Sequence, residues 1–448
     1  MATSGETDLF ANGIEPWAAS VRSGDISFAT TMEFCIDRIQ SMPTLNAFEV
    51  LDEAVATNLA KAMDTELAEG KDRGPLMGLP IGVKDIMAAQ GMPTTNGSNA
   101  DTEHLSGTEG TVLKQLRLLG AIPVGKTKTV EFALGVTGIN AARGTPWNPV
   151  DETVHRLPGG SSSGSAVATA AGCIGLGLGT DTGGSVRIPA CFTGIFGHKT
   201  SVGRWPTDGI FSLSRTLDSV GPLVRCARDA ALLHEALFDE LVPNFTDIEG
   251  LRVGVPKIHF LDHLDRQVAS DFENSLAKLT SLGAELIDME FPEAAERSTL
   301  FPLIVPPELL SFLGTDLFLN ARNGMDPVTA ERAAHGLTVS AVQYLEALRR
   351  QEFLIAKANS TFANVDVWVS PTVPFLPMPL ADLEEPAQKE RALEASRNTQ
   401  PGNLLEFCAT TLPMQRPGTL PSGFQIMMPH GKDAECLGLS VFLEPHLR

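Results

Sequence analysis

The order of apolar runs along the chain predicts an α/β protein, a sheet covered by helices. Three observations carry this. Strand-length and helix-length runs alternate through the second half, and residues 15–70 read as helical. With 448 residues and 43% hydrophobic content, the chain can also bury one large core.

Taken in order, Trp17–Ser23 reads as a short helix stopped by Gly24, and Ser27 as the cap of a second helix running through Ile39. Glu53–Glu69 is a third, with Ala56, Leu59, Ala60 and Met63 at helical spacing. Leu79–Ile86 is a β-type run interrupted by glycine, with Lys84 near its end. A helix over 109–119 leads into an apolar Ile122-Pro-Val strand. Leu251–Pro256 and Ala284–Met289 read as strands around a periodic helix, 270–282. Ser340 caps a long amphipathic helix to Phe362, and strands follow at Val365–Thr372 and Leu420–Met427. Residues 295–339 and 374–400, with several prolines, read as irregular loops beside a substrate channel. No repeat or clean boundary interrupts the pattern. We take 1–70 as a helical layer on a larger α/β domain, 71–448.

Composition narrows the functional class. The net charge of −20 favours a soluble acidic surface, and no basic stripe supports a nucleic-acid partner. Six cysteines without close pairing fit reduced thiols, hence a cytoplasmic location. Met1–Gly13 has no targeting pattern. No apolar run is long enough to span a membrane.

The chemistry concentrates between Gly159 and Thr200. Two Gly/Ser turns, Gly159–Gly164 and Thr180–Ser185, bracket a segment of small apolar residues. Serine becomes a nucleophile only when a base takes its proton. Consecutive amides around Thr182–Ser185 can form a concave donor cluster for an oxyanion. Lys84, if buried in its apolar run, has its charged form disfavoured and becomes a candidate base.

Other patterns are weaker. Residues 120–127 match a phosphate-loop pattern, but a strand lies where the loop should be. Ser162 sits in a G-x-S-x-G context without the acid and histidine that such a nucleophile needs. Ser275 and Lys278 match S-x-x-K on what reads as an exposed helix face. His259 and His263 have ligand-like spacing but lack the accompanying glutamate. No metal or cofactor is expected.

The ordered motifs resemble the amidase signature family. They are the lysine motif Gly78–Asp85, the turn Gly159–Gly164 and the run Gly179–Pro189, with Glu131–Ala133, Gly144–Pro146 and Thr216–Pro222 also fitting. The resemblance spans roughly residues 15–442 and is densest over 75–235. It departs at His198–Ser201, a local turn. It implies a large mixed, twisted β-sheet sandwiched between α-helices, and a Ser–Ser–Lys relay. In that relay Ser185 is the nucleophile, Ser161 the bridge and Lys84 the base. Ser161 and Ser185 stand 24 residues apart, the family's spacing, which selects Ser161 over Ser162 and Ser163. The backbone of Thr182, Gly183, Gly184 and Ser185 would form the oxyanion hole, where one donor is worth about 2.7–4 kcal/mol. Leu134–Thr137 would line the acyl pocket, making Leu134, Gly135 and Thr137 candidate substrate contacts. Arg187 reads as structural.

The activity implied is hydrolysis of the C–N bond of a small linear carboxamide, with carbamates or urea derivatives as substrates sharing the same residues. A different class, a glutamine-dependent amidotransferase component that supplies ammonia to a partner, would need a glutamine-reading arginine, and none is recognisable in 320–345. Homodimerisation is an expectation of the resemblance alone.

Overall fold

A computed structural model describes residues 8–447, so most of the segment screened for targeting signals, residues 1–7, lies outside them. Among the described residues eleven strands form one sheet: β1 (Phe48–Leu51), β2 (Pro80–Lys84), β3 (Ile122–Thr127), β4 (Leu176–Asp181), β5 (Phe196–Lys199), β6 (Ser219–Val224), β7 (Arg252–Pro256), β8 (Glu285–Met289), β9 (Val367–Pro371), β10 (Cys408–Pro413) and β11 (Gly423–Met428). Their order is β1-β3-β2-β4-β6-β5-β10-β11-β9-β7-β8. β2 runs parallel to both β3 and β4, whereas β4 is antiparallel to β6. The sheet is therefore mixed, and its central strands are buried on both faces, as parallel neighbours under helices require.

The parallel pair sets the site. Val83 lies opposite Leu178, so Lys84 and Asp181 come to the same, C-terminal end of β2 and β4. Ligands in open α/β sheets bind beyond such strand ends. The small-residue segment after the first turn becomes the helix Ser163–Ala170, lying directly on backbone. A Cβ on Gly164 would come within 2.3 Å of the Ala47 carbonyl and 2.4 Å of the Lys128 amide. Only glycine permits that approach. Ser165 fastens the helix to the sheet, donating to the Leu178 carbonyl at 2.8 Å.

The three expected N-terminal helices form, but the segment between the second and third, Phe48–Leu51, is not helical: it joins the sheet as β1, paired with β3. Gly24 ends the helix Ile14–Ser23 in the left-handed conformation, and Ser27 caps Phe28–Ser41 by accepting from the Thr30 amide. Ser340 forms a capping box with Gln343 ahead of Ala341–Thr361. The 120–127 pattern is strand β3, and Lys126 binds Asp85 at 2.8 Å.

The stretch 295–339 corrects the loop expectation. It is mainly helical: Arg297–Leu313, Thr315–Ala321 and Pro327–His335. Pro302, Pro306 and Pro307 lie inside the first of these. Each proline removes one backbone donor, but buried Leu300, Ile304, Leu309, Leu310 and Leu313 bind the helix to the core. Helix Pro386–Leu393 likewise occupies part of 374–400. Ser275 is also corrected: it is buried, its hydroxyl donating to the Asp271 carbonyl, while Lys278 is exposed.

Among the described residues no single helix is long and apolar enough to cross a membrane; the apolar stretch Pro292–Gly324 bends by 91°. All six cysteines are unpaired.

Candidate active site

Lys84 closes β2 with no exposed surface, its Nζ 2.7 Å from Ser161 Oγ and 2.7 Å from Thr180 Oγ1. Burial brings its ammonium down to about 7, against the attraction of Asp218 and Asp181. Neutral lysine is thus substantially populated near neutrality. The peptide bond Gly160–Ser161 is cis. Ser162 and Ser163 are occupied elsewhere: Ser162 Oγ exchanges hydrogen bonds with the Thr180 backbone at 3.3 Å, and Ser163 Oγ donates to the Lys128 carbonyl.

The second Gly/Ser turn is organised by Asp181. Its carboxylate accepts from the amides of Gly184 at 2.8 Å, Val186 at 3.1 Å and Arg187 at 3.3 Å. It also receives Arg187 side-on through Nε and Nη2. Burial raises the Asp181 carboxyl, but the Arg187 guanidinium outweighs it and holds the group well below the usual carboxylate range. Arg187 spends its remaining donors on Thr399, Gln425 and Asn403, so all five guanidinium N–H groups are satisfied inside the protein. It is structural, as read.

The Ser162 amide donates to the Ser185 carbonyl at 3.3 Å, binding the two turns together. The Ser185 hydroxyl has no hydrogen-bond partner among the described residues, and no bond links it to Ser161. It faces a cavity of about 510 Å³. Thr182, Gly183, Leu134 and Gly135 line the same cavity. The amides of Thr182, Gly183 and Ser185 meet no acceptor among the described residues. Gly184 departs from the oxyanion expectation because its N–H is committed to Asp181. Thr137 departs too. It is not among the cavity-lining residues; its carbonyl accepts from the Gly159 amide and its hydroxyl from the Ile139 amide. Ala133 and Val136 line the wall instead.

Sequence reasoning missed Thr180, the second partner of Lys84, and Asp218. Asp218 accepts from the Thr182 hydroxyl at 2.5 Å and from the Leu213 and Ser214 amides at 3.0 Å, while burial pushes its carboxyl up to about 6. Both lie within quoted motifs, so the signal was present without a partner to give it meaning. No group of three or more potential metal ligands occurs among the described residues, and His259 instead bonds the Arg397 carbonyl through its ring.

Residues 30–437 match the Amidase family. A 2-amino-5-chloromuconic acid deaminase of Comamonas testosteroni is 38% identical over 95% of this chain and 94% of its own. A glutamyl-tRNA(Gln) amidotransferase component of Acidothermus cellulolyticus is 32% identical over 99% and 95%. A crystal structure of an amidase superposes with a TM-score of 0.90 at 32% identity, covering 97% of this chain and all (100%) of that one. The motifs, the mixed sheet and these relatives agree: the chain belongs to the amidase signature family, enzymes that hydrolyse amide C–N bonds.

Proposed function

We propose that the protein hydrolyses a small linear carboxamide through an acyl-enzyme on Ser185. Ser185 Oγ attacks the carbonyl carbon as its proton passes to Ser161, whose own proton goes to Lys84 Nζ. The amides of Thr182, Gly183 and Ser185 stabilise the oxyanion, Gly184 shaping the turn. Collapse breaks the C–N bond, and Lys84 returns the proton through Ser161 to the leaving nitrogen. Water then attacks the acyl group by the same route, releasing the acid and restoring Ser185.

The observation that carries this reading is the buried Lys84, brought down to about 7 and 2.7 Å from Ser161, beside a cavity that a partnerless serine hydroxyl faces. A relay without substrate often lacks one of its hydrogen bonds, so the missing Ser161–Ser185 contact does not weigh against it. The deaminase relative, by its name, acts on an acid-bearing compound and removes an amino group. That supports a small-molecule substrate. Carbamates and ureas would use the same residues. The amidotransferase relative favours a second reading, a component that supplies ammonia to a partner protein. Six unpaired thiols fit a cytoplasmic setting.

The test is ammonia or amine release by the purified chain from a panel of amides, carbamates and ureas. Release from amides without a partner protein is expected. Turnover only after a partner is added would favour the ammonia-supplying reading.

A further inference from the structure

The cavity that Ser185 faces is bordered by a side-chain amide whose donors are unused. Gln400 lines it from the start of the helix Gln400–Leu404 and is 8% exposed. Its Oε1 accepts from Arg297 Nη1 at 3.0 Å. A guanidinium can only donate, so this bond fixes which way round the amide sits. Nε2 is left with two N–H groups and no acceptor among the described residues, on a side chain that borders the cavity. Buried amide donors are ordinarily satisfied, and leaving them unpaired costs free energy. An acceptor on a ligand would supply the missing partner.

The amide is held beside the turn that carries Ser185. Gln400 Cγ and Phe301 Cε1 lie 3.3 and 2.9 Å from the point that a Cβ on Gly183 would occupy. The preceding residue, Thr399, donates from its hydroxyl to the Gly183 carbonyl at 2.7 Å, and its own carbonyl accepts from Arg187 at 3.1 Å. Further along the same helix, Asn403 Nδ2 donates to the Asp181 carboxylate at 2.8 Å. Arg297 is fixed in turn by its ion pair with Glu394, which also lines the cavity. That pair carries no net charge, and its carboxylate is the more exposed member, which disfavours an anion at this end. An uncharged acceptor fits, and Phe301, Val305 and Leu213 give the cavity apolar surface for a carbon spacer.

We propose that Gln400 donates a hydrogen bond to a second, uncharged carbonyl oxygen of the substrate, distinct from the one attacked. The substrate class is then an amide whose acyl part carries a further ketone, ester or amide carbonyl beyond a short carbon spacer. Gln400 determines specificity and takes no part in the proton relay. Which carbonyl reacts rests on the Ser185 reading above; recognition of the second one does not.

The experiment therefore measures binding without turnover. Acetoacetamide and N,N-dimethylsuccinamide are titrated calorimetrically into the Ser185→Ala protein, each beside the saturated branched amide of the same shape that lacks the second carbonyl. Neither compound has an N–H at its far end, so neither can donate there instead of accepting. At least one should bind about 10-fold or more tightly than its saturated analogue. Adding Gln400→Glu keeps an acceptor for Arg297 but removes both donors, and should abolish that preference; a purely structural Gln400 would leave it intact. Equal or weaker binding of both carbonyl compounds, or a preference that survives in Gln400→Glu, would overturn the proposal. The first outcome needs no Gln400 variant to fold. Failure of the Ser185 reading shows separately, as continued ammonia release by Ser185→Ala with the binding preference intact.

Discussion

In the proposed relay Lys84 owes its basicity to where β2 ends. At the end of an all-buried strand, its ammonium loses hydration, and the attraction of Asp218 and Asp181 recovers only part of it. Because burial lowers the group to about 7, the neutral, proton-accepting form grows as pH rises through that value. In the relay, kcat/KM therefore climbs with pH through about 7 and then levels. Lys84→Ala should lower kcat/KM by about 10²–10⁴ and lose this limb. A pH–rate profile of both proteins checks it; a wild-type profile flat from about pH 5 to 9 would count against a neutral lysine base. Lys84, Ser161 and Ser185 were legible as candidates because three motifs occur in order, each carrying a residue type that the chemistry needs. Thr180 and Asp218 were not. Each is a common residue type inside a motif, and its place becomes visible only once the fold sets it beside Lys84 or the turn at Thr182.

In the proposed relay the turn after β4 carries the nucleophile and the oxyanion donors, and Asp181 shapes it. By taking the Gly184, Val186 and Arg187 amides, its carboxylate curls the backbone so that Thr182, Gly183 and Ser185 keep their N–H groups free. Gly184 has φ 123°, and an added Cβ would lie 2.2 Å from Thr399 Oγ1. Gly184→Ala should thus lower kcat/KM by about 10² or more through displaced oxyanion donors, with a lower Tm. Steady-state kinetics and a melting curve test this, and wild-type kinetics in the variant would contradict it. Legibility at this scale followed local signals. Caps and periodicity announced Phe28–Ser41 and Ala341–Thr361. Proline misled for Arg297–Leu313, since it normally breaks a helix, yet here Pro302 and Pro306 share the face that lines the cavity. β10, Cys-Ala-Thr-Thr-Leu-Pro, shows little alternation because both its faces are buried.

At the scale of the whole molecule, the N-terminal layer and the sheet are one packed body. β1 pairs with β3, and Phe28 lies where a Cβ on Gly78 would come within 2.0 Å of its ring. One hydrophobic cluster runs from Phe10 to Leu447. We therefore expect residues 1–70 to unfold with the remainder in a single calorimetric transition. Two separated transitions, the smaller matching a truncated N-terminal layer, would show an independent domain instead. The α/β class was legible from alternating runs, but strand order was not. Joining β4 to β6 and β5 to β10 depends on contacts between residues far apart in the chain.

The identity of the nucleophile is the central claim, and covalent labelling reaches it most directly. The protein is incubated with a fluorophosphonate, its intact mass is measured and the adduct is mapped by peptide sequencing. The Ser–Ser–Lys relay predicts one adduct, on Ser185, that forms far more slowly in Lys84→Ala. Label on Ser162 or Ser275 with Ser185 unmodified would contradict it.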